Sequence, residues 1–391
     1  MLKEIHRDIS IRPATAVVEQ DPARKDPAAG GGEGAVVVWE AADPKGRLAW
    51  QEAWKESGEG EVFSHPAFVS AVAAPGERPH CAYLRTTDGE SILYAFILRP
   101  ITQDAEGRAV EDDLWDIYTP LVYGGPIGHG VSQKALDTFW VGLHSWARRH
   151  GVVSEIIRFT PVDRHRLPYP GTLREQAPHI VVELEELSED EVIARLRKST
   201  RRAYRKGLES GLSARLETTD RGIEDFLAIH TETMDRVDAH SSFYLEEGFL
   251  RTLHRCLPGR LAYVFALQDD RPVSVELILF RDGTSYAYLG GTRTDALKNG
   301  STTVASVAAI QEAHRRGMRE HVLTGGVTNT SDDPLLTFKR GFTRDGDRRY
   351  FTGEQVFLPE AYEQLCSEAP GSNLPPSDFF PYYRAFARST E

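Results

Sequence analysis

The chain lacks most of the devices that betray a function at first reading. Its three cysteines, Cys81, Cys256 and Cys366, lie far apart in 391 residues and form no C-x-x-C pair. That argues against a disulfide framework or a zinc site and for a reducing compartment. The 13 histidines show no metal-ligand spacing beyond a loose His144/His150 pair, so no metal is expected. No apolar run approaches the ~18 residues of a membrane span, so no stable membrane insertion is expected. Residues 1–34 are rich in Pro, Gly, Ala and charge but lack the apolar stretch of a signal peptide, and a cytoplasmic protein is expected. The sequons Asn299-Gly300-Ser301 and Asn329-Thr330-Ser331 are discounted for the same reason. Hydrolytic and redox signatures are missing too: there is no G-x-S-x-G, no P-loop, no H-E-x-x-H and no G-x-G-x-x-G after a strand. Nor is there an excess of basic charge. The net charge of −12 argues against a general nucleic-acid binder, DNA included. Any polyanion site must be a local basic patch on an acidic background.

What is present is the composition of a folded protein, with 40% hydrophobic and 27% charged residues and length enough for two domains. After an N-terminal arm over 1–34, residues 50–58 and 63–74 read as helices and 81–85 with 91–99 as a hairpin closed by Thr87-Asp88-Gly89. A strand over 114–123 runs into Gly124-Gly125-Pro126. A helix over 132–150 follows, with Leu136, Phe139, Trp140, Leu143 and Ala147 at helical spacing. Strands over 152–159 and 179–184 flank a Pro-rich stretch, 160–178. The order then recurs: helices over 223–237 and 249–256, strands over 261–268, 273–281 and 285–290, a helix over 301–316 and a strand over 320–323. A strand over 348–357, a helix over 358–368 and an aromatic tail complete the chain. The repeated order predicts an α/β (α+β) protein of two tandem acyltransferase-like domains with mixed sheets, spanning 35–187 and 188–374. The tail, 375–391, is expected to dock on a domain surface because its aromatics would not be left in water.

Three features point to anion chemistry. Residues 189–210 read as one helix whose basic face, including Arg197, Arg201, Arg202 and Arg205, has no interspersed acid; phosphates would neutralise it. The turn from Gly290-Gly291 to Ser301, with Lys298, places backbone amides where a strand gives way to a helix. The pentapeptide Phe338-Lys339-Arg340-Gly341-Phe342, after a polar loop containing Asp332 and Asp333, sets a cation beside aromatics. A fixed ammonium there neutralises a phosphate or a tetrahedral oxyanion. Acetyl-CoA-dependent acetyltransferases carry Q/R-x-x-G-x-G/A at the second of these places. The segment here, Arg293 to Ser301, does not have that spacing.

Several stretches, taken in order, resemble the Fem family of non-ribosomal aminoacyltransferases within the acetyltransferase-like (GNAT) superfamily. They are Phe63-Ser64-His65-Pro66, Tyr123-Gly124-Gly125-Pro126, the basic run from Leu196 to Leu212, Thr231 to Tyr244, Tyr286 to Gly291, and Phe338 to Phe342. The resemblance covers about residues 60–358. It implies transfer of an amino acid from aminoacyl-tRNA to an amino group, with no further cofactor and, as partners, the tRNA acceptor end and an amine. On it, Lys339 with Phe338 faces the tRNA 3′ end or the transition-state charge. Arg236 and Tyr244 contact the acceptor, and Tyr288, Gly290, Gly291 and Tyr123 line the substrate cleft. Arg197, Arg201, Arg202, Arg205, Lys298 and Arg340 meet tRNA phosphates, while Asp332, Asp333 or a tRNA hydroxyl takes the amine proton. The family's Gly-Phe after the T-x-x-R arginine is replaced by Val237-Asp238-Ala239-His240, and no coiled coil is inserted after Gly211. The acceptor is therefore a peptidoglycan precursor or a soluble, antibiotic-type amine. An acyl-CoA-dependent N-acyltransferase and a non-catalytic tRNA-binding or scaffold protein are the alternatives. A monomer is expected.

Overall fold

The computed structural model describes residues 34–367, except 58–59, 121, 129, 163, 165 and 240–242, together with 379–385. The expected arm (1–34), part of the tail and His240 therefore lie almost wholly outside the described residues. The chain begins β1 (Val37–Glu40), α1 (Pro44–Glu56), α2 (Pro66–Val72), β2 (Arg78–Arg85), β3 (Ser91–Pro100), β4 (Trp115–Tyr118), α3 (Gln133–Arg149) and β5 (Val152–Arg158). It continues β6 (Thr172–Glu183), α4 (Glu189–Arg195), α5 (Lys198–Glu209), β7 (Ser213–Glu217), α6 (Ile223–Arg236), α7 (Glu247–Cys256), β8 (Leu261–Gln268), β9 (Arg271–Arg281) and β10 (Thr284–Thr292). The last elements are α8 (Ser301–Arg315), β11 (Glu320–Thr324), α9 (Pro334–Lys339), β12 (Asp347–Val356) and α10 (Pro359–Cys366).

Two compact units result. Among the described residues, one holds 176–350 with the short piece 60–62; the other holds 63–175 and 351–385, with 34–57. The change-overs fall at 175/176 and 350/351, whereas the sequence suggests 187/188 and 374/375. The reason is a non-local exchange. In the unit around Phe63–Glu175 the strand order is β1-β2-β3-β4-β5-β12, and in the other it is β7-β8-β9-β10-β11-β6. Each unit thus has five strands consecutive in sequence. Its sixth strand comes from outside that run and lies antiparallel on the fifth, as β12 on β5 and β6 on β11.

In both units the fourth and fifth strands are the parallel pair, β4 with β5 and β10 with β11. Parallel neighbours need a crossover, and α3 and α8 supply it. In the first, Phe139, Trp140, Leu143 and Ala147 pack on Ile117, Val152 and Ile157. In the second, Val307 and Ile310 of α8 meet Leu323, Leu336 and Phe342. The described tail segment packs within its own unit: Tyr383 is buried, its hydroxyl 2.7 Å from Ser154 Oγ and 3.1 Å from Asp116 Oδ2.

The expected helix over 189–210 is two helices. Leu196 and Arg197 are extended between α4 and α5 because Leu196 is buried in the core and the Arg197 N–H donates to the Gly341 carbonyl at 2.9 Å. Gly207 lies buried inside α5. A Cβ there would stand 2.9 Å from Val304 of α8, so the glycine is the contact at which the two helices cross. The expected strand over 114–123 shortens to β4, and β6 begins inside the Pro-rich stretch, at Thr172. The loop before Lys339 contains α9, which an Asp333 cap and Pro334 at its first turn initiate.

Close approaches explain the Gly290-Gly291 pair: a Cβ on Gly290 would lie 2.9 Å from the Val275 carbonyl of β9, and Gly291 lies under α6. A Cβ on Gly291 would lie 2.7 Å from Thr233 Oγ1 and 3.0 Å from the Ile229 carbonyl. Gly291→Ala is expected to cost ~1–3 kcal/mol by overpacking, read as a lower urea midpoint at unchanged slope.

Candidate active site

The parallel pairing of β10 with β11 extends only from Thr284↔Glu320 to Tyr286↔Val322. A bulge at Ala287/Leu289 then turns β10, and β11 shifts register against β6 between Val322 and Thr324. Thr324 takes a left-handed backbone (φ 64°), a cost for a β-branched residue. The strands diverge at their carboxyl ends, where ligands of open α/β sheets bind. Lys339 reaches this place.

Three local choices deliver it. Asp333 starts α9, its carboxylate accepting from the Val327, Thr328 and Leu336 amides and the Thr328 hydroxyl at 2.7–2.9 Å. Leu336 buries the helix in the core. Arg340, just past the lysine, is clamped to Asp347 at 2.7 Å and to the Ser331 carbonyl at 2.6 Å. Lys339 is half-buried as a residue, with its ammonium at the inner end. The ammonium donates to Thr324 Oγ1 at 2.7 Å and to the Gly325 carbonyl at 2.6 Å, leaving one of its three N–H groups unspoken for. Burial pulls it below the usual lysine range, to about 8, against the attraction of the Glu276 and Asp333 carboxylates. Phe338 lies edge-on to Phe342, 5.0 Å between ring centres, and part of its face is open to solvent.

The other residues singled out in the sequence separate into those that sit here and those that hold the frame. Burial alone would raise the Asp333 carboxyl, but its four donors together hold it down to about 2, so it stays an anionic anchor of the loop. Asp332 is exposed beside it. Tyr288 of β10 is buried, and burial drives its hydroxyl well above the usual range. Arg236 donates to the Thr292 carbonyl at 2.9 Å and to Thr294 Oγ1 at 3.2 Å, tying α6 to the end of β10. Tyr244 donates to Asp235 at 2.7 Å. Tyr123 belongs to the other unit, buried with its ring edge-on to Phe63. Arg197, Arg202 and Arg205 are exposed with Lys198 and Lys206 and, among the described residues, their side chains make no hydrogen bond or ion pair. Arg201 is half-buried and bonds the Ala194 carbonyl at 2.9 Å. Lys298 is exposed.

The turn into α8 is closed from within. The Asn299 side chain accepts from the Ser301 amide at 2.9 Å, the Ser301 hydroxyl donates to the Ala296 carbonyl at 3.1 Å, and Gly300 lies against Ala203 and Gly207 of α5.

A buried polar group near the strand ends escaped the sequence reading. Glu276 on β9 accepts from Ser306 Oγ of α8 at 2.7 Å, and its other oxygen lies 3.5 Å from His321 Nε2 on β11. His321 Nδ1 is 2.8 Å from Ser285 Oγ. The available signal was a glutamate within the apolar run Val273 to Phe280, where an unpaired charge is costly.

Among the described residues, no helix is long and apolar enough to cross a membrane, and no group of three or more His, Cys, Asp or Glu is placed to hold a metal. No curated protein matches the sequence significantly. The family profile for an acetyltransferase (GNAT) domain matches residues 194–340. FemX has a similar fold, with a TM-score of 0.60 at 11% identity over 81% of this chain and 98% of that one. The C-terminal domain of a putative lysylphosphatidylglycerol synthetase from Agrobacterium fabrum gives 0.52 at 10% identity over 82% and 96%. L-PGS from Bacillus licheniformis gives 0.51 at 14% identity over 85% and 99%. Residues 194–340 thus match a GNAT domain, within a chain that shares its fold with FemX.

Proposed function

We propose that the protein is an aminoacyltransferase that moves an amino acid from aminoacyl-tRNA to the amino group of a peptidoglycan precursor or a soluble amine, without a further cofactor. The acyltransferase class rests on the GNAT domain and on the fold shared with FemX. The choice of donor rests on one observation, the first turn of α8. In an acyl-CoA-dependent enzyme this turn must offer free amides to a diphosphate. Here Asn299 occupies the Ser301 amide and α5 packs on Gly300. The exposed, unpaired cations of α5 suit an RNA backbone instead.

An aminoacyl ester is already activated, so positioning supplies much of the rate. The amine nitrogen attacks the ester carbonyl carbon, a C–N bond forms, and the C–O bond to the ribose breaks. One amine proton goes to the departing ribose oxygen. Lys339 turns its free N–H toward the oxyanion that forms in between. Phe338 offers a flat apolar face to the terminal base. Asp333 is committed to its loop, so that proton reaches the departing oxygen by way of the neighbouring ribose hydroxyl or exposed Asp332.

The GNAT profile match favours acyl-CoA as the second reading. Incubation with charged tRNA and a panel of amines, with and without ribonuclease, separates the two. Amide formation that ribonuclease abolishes is the expected result. Amide formation that survives ribonuclease and requires acyl-CoA overturns the donor assignment, and bound tRNA without turnover overturns the enzyme.

A further inference from the structure

Two guanidinium groups meet on one carbonyl oxygen where α4 gives way to α5. Arg201 Nη1 donates to the Ala194 carbonyl at 2.9 Å, and Arg344 Nη2 donates to the same oxygen at 3.3 Å. Their charges therefore stand within a few ångströms of each other. A carbonyl at the end of a helix attracts a cation, and one arginine suffices for that. The second adds like-charge repulsion. Among the described residues neither arginine pairs with an acid, whereas their neighbours Arg340 and Arg348 are neutralised by Asp347 and Glu183. Arg195, Arg197 and Lys198 stand exposed on the same stretch of chain and add to the positive charge. Both arginines are held in place. Arg201 is half-buried in α5. The turn that carries Arg344 is pinned by Phe342 in the core and by the Gly346 carbonyl, which accepts from the Val181 amide at 2.9 Å. The junction adjoins the candidate active site, because the Arg197 amide donates to the carbonyl of Gly341, two residues past Lys339, at 2.9 Å.

We propose that Arg201 and Arg344 form a phosphate site, a guanidinium pair that takes one backbone phosphate of the donor RNA beside the segment carrying Phe338 and Lys339. A phosphate offers oxygens to both guanidinium forks and cancels the repulsion that a neutral carbonyl leaves in place. Arg344 thereby joins the RNA-facing cations of α5, although it lies far from them in sequence. That the phosphate belongs to aminoacyl-tRNA rests on the transfer reading. The affinity of the pair for an RNA phosphate does not, and it is measured without turnover.

The test is filter binding of the full chain to an RNA acceptor-stem hairpin with a single-stranded 3′ end, across a salt series. Arg344→Ala is expected to weaken binding about tenfold at low salt and to flatten the plot of log affinity against log salt by about 0.7–0.9. Its melting temperature should stay near that of the parent. An arginine that only caps α4 gives the opposite pair of results, a lower melting temperature with affinity and slope unchanged, and that overturns the proposal. Arg344→Gln serves where the alanine variant does not fold, and it closes a second cycle. In hairpins carrying one neutral methylphosphonate at a time along the 3′ end, one position should cost the parent about tenfold and cost Arg344→Gln nothing further. An equal cost in both proteins at every position overturns the site. Phosphatidylglycerol vesicles that lose binding in Arg344→Ala while the hairpin keeps its affinity overturn the assignment to RNA. Unchanged hairpin affinity in Arg344→Ala beside ribonuclease-sensitive amide formation removes the site and spares the donor reading. A parent protein that binds no hairpin removes both.

Discussion

Lys339→Met is expected to lower single-turnover aminoacyl transfer by ~100-fold or more, the usual cost of removing one donor from a developing oxyanion. The ammonium is fixed from two sides by Thr324 and Gly325 and has no freedom to be replaced by a mobile neighbour. Nearby Arg340 cannot stand in, because its guanidinium is held by Asp347 and Ser331. The same change is expected not to destabilise the fold. The Lys339 ammonium is drawn out of water, and its folded pKa, about 8, lies below its unfolded value of 10.5. Between those values the unfolded chain binds more protons, so stability rises with pH across that window. Below it the buried charge carries a constant cost of ~3 kcal/mol. Methionine removes that cost and forfeits two hydrogen bonds worth ~1 kcal/mol each. A melting temperature at pH 7 equal to or above that of the parent, with transfer lost, is the expected pair of results. An unchanged transfer rate rules out the charge role.

The second large effect is expected on α5. Replacing Lys198, Arg202 and Arg205 together by alanine should weaken tRNA binding on the order of 100-fold at low salt, and flatten the plot of log affinity against log salt by about 0.7–0.9 per lost phosphate contact. These side chains have no partners within the described residues, so the melting temperature should barely move. Filter binding across a salt series reads both numbers. An unaltered slope would remove α5 from the RNA interface.

Much of the fold was legible because it is written in local patterns. The hairpins, the crossover helices and their repeat in each half follow from alternation, helical spacing and turn residues. The partner of each fifth strand was not legible. The antiparallel pairing of β12 with β5 joins Val356 to Ser154, and no local pattern marks a contact that distant in sequence. The α4/α5 break was hidden for a similar reason. Its cause is the Gly341 carbonyl, which draws Arg197 out of helical geometry, while the helical pattern runs on through Leu196. At the site, Lys339 stood out as a cation among aromatics, but α9 hid behind a polar loop whose cap, Asp333, reads equally as an acceptor of the amine proton. Gly290 and Gly291 looked like an anion nest, and the close approach of Thr233 and Val275 gives them a packing role. Glu276 and His321 went unnoticed because each is a single polar residue in an apolar strand, and only the sheet brings them to 3.5 Å.

The donor is the centre of the account, and one competition decides it. The protein is given aminoacyl-tRNA labelled on the amino acid and acetyl-CoA carrying a different label on the acetyl group, together with a panel of amines. The account predicts that only the aminoacyl label enters the amide product. Acetyl label in the amide, with the aminoacyl label left on RNA, would contradict it.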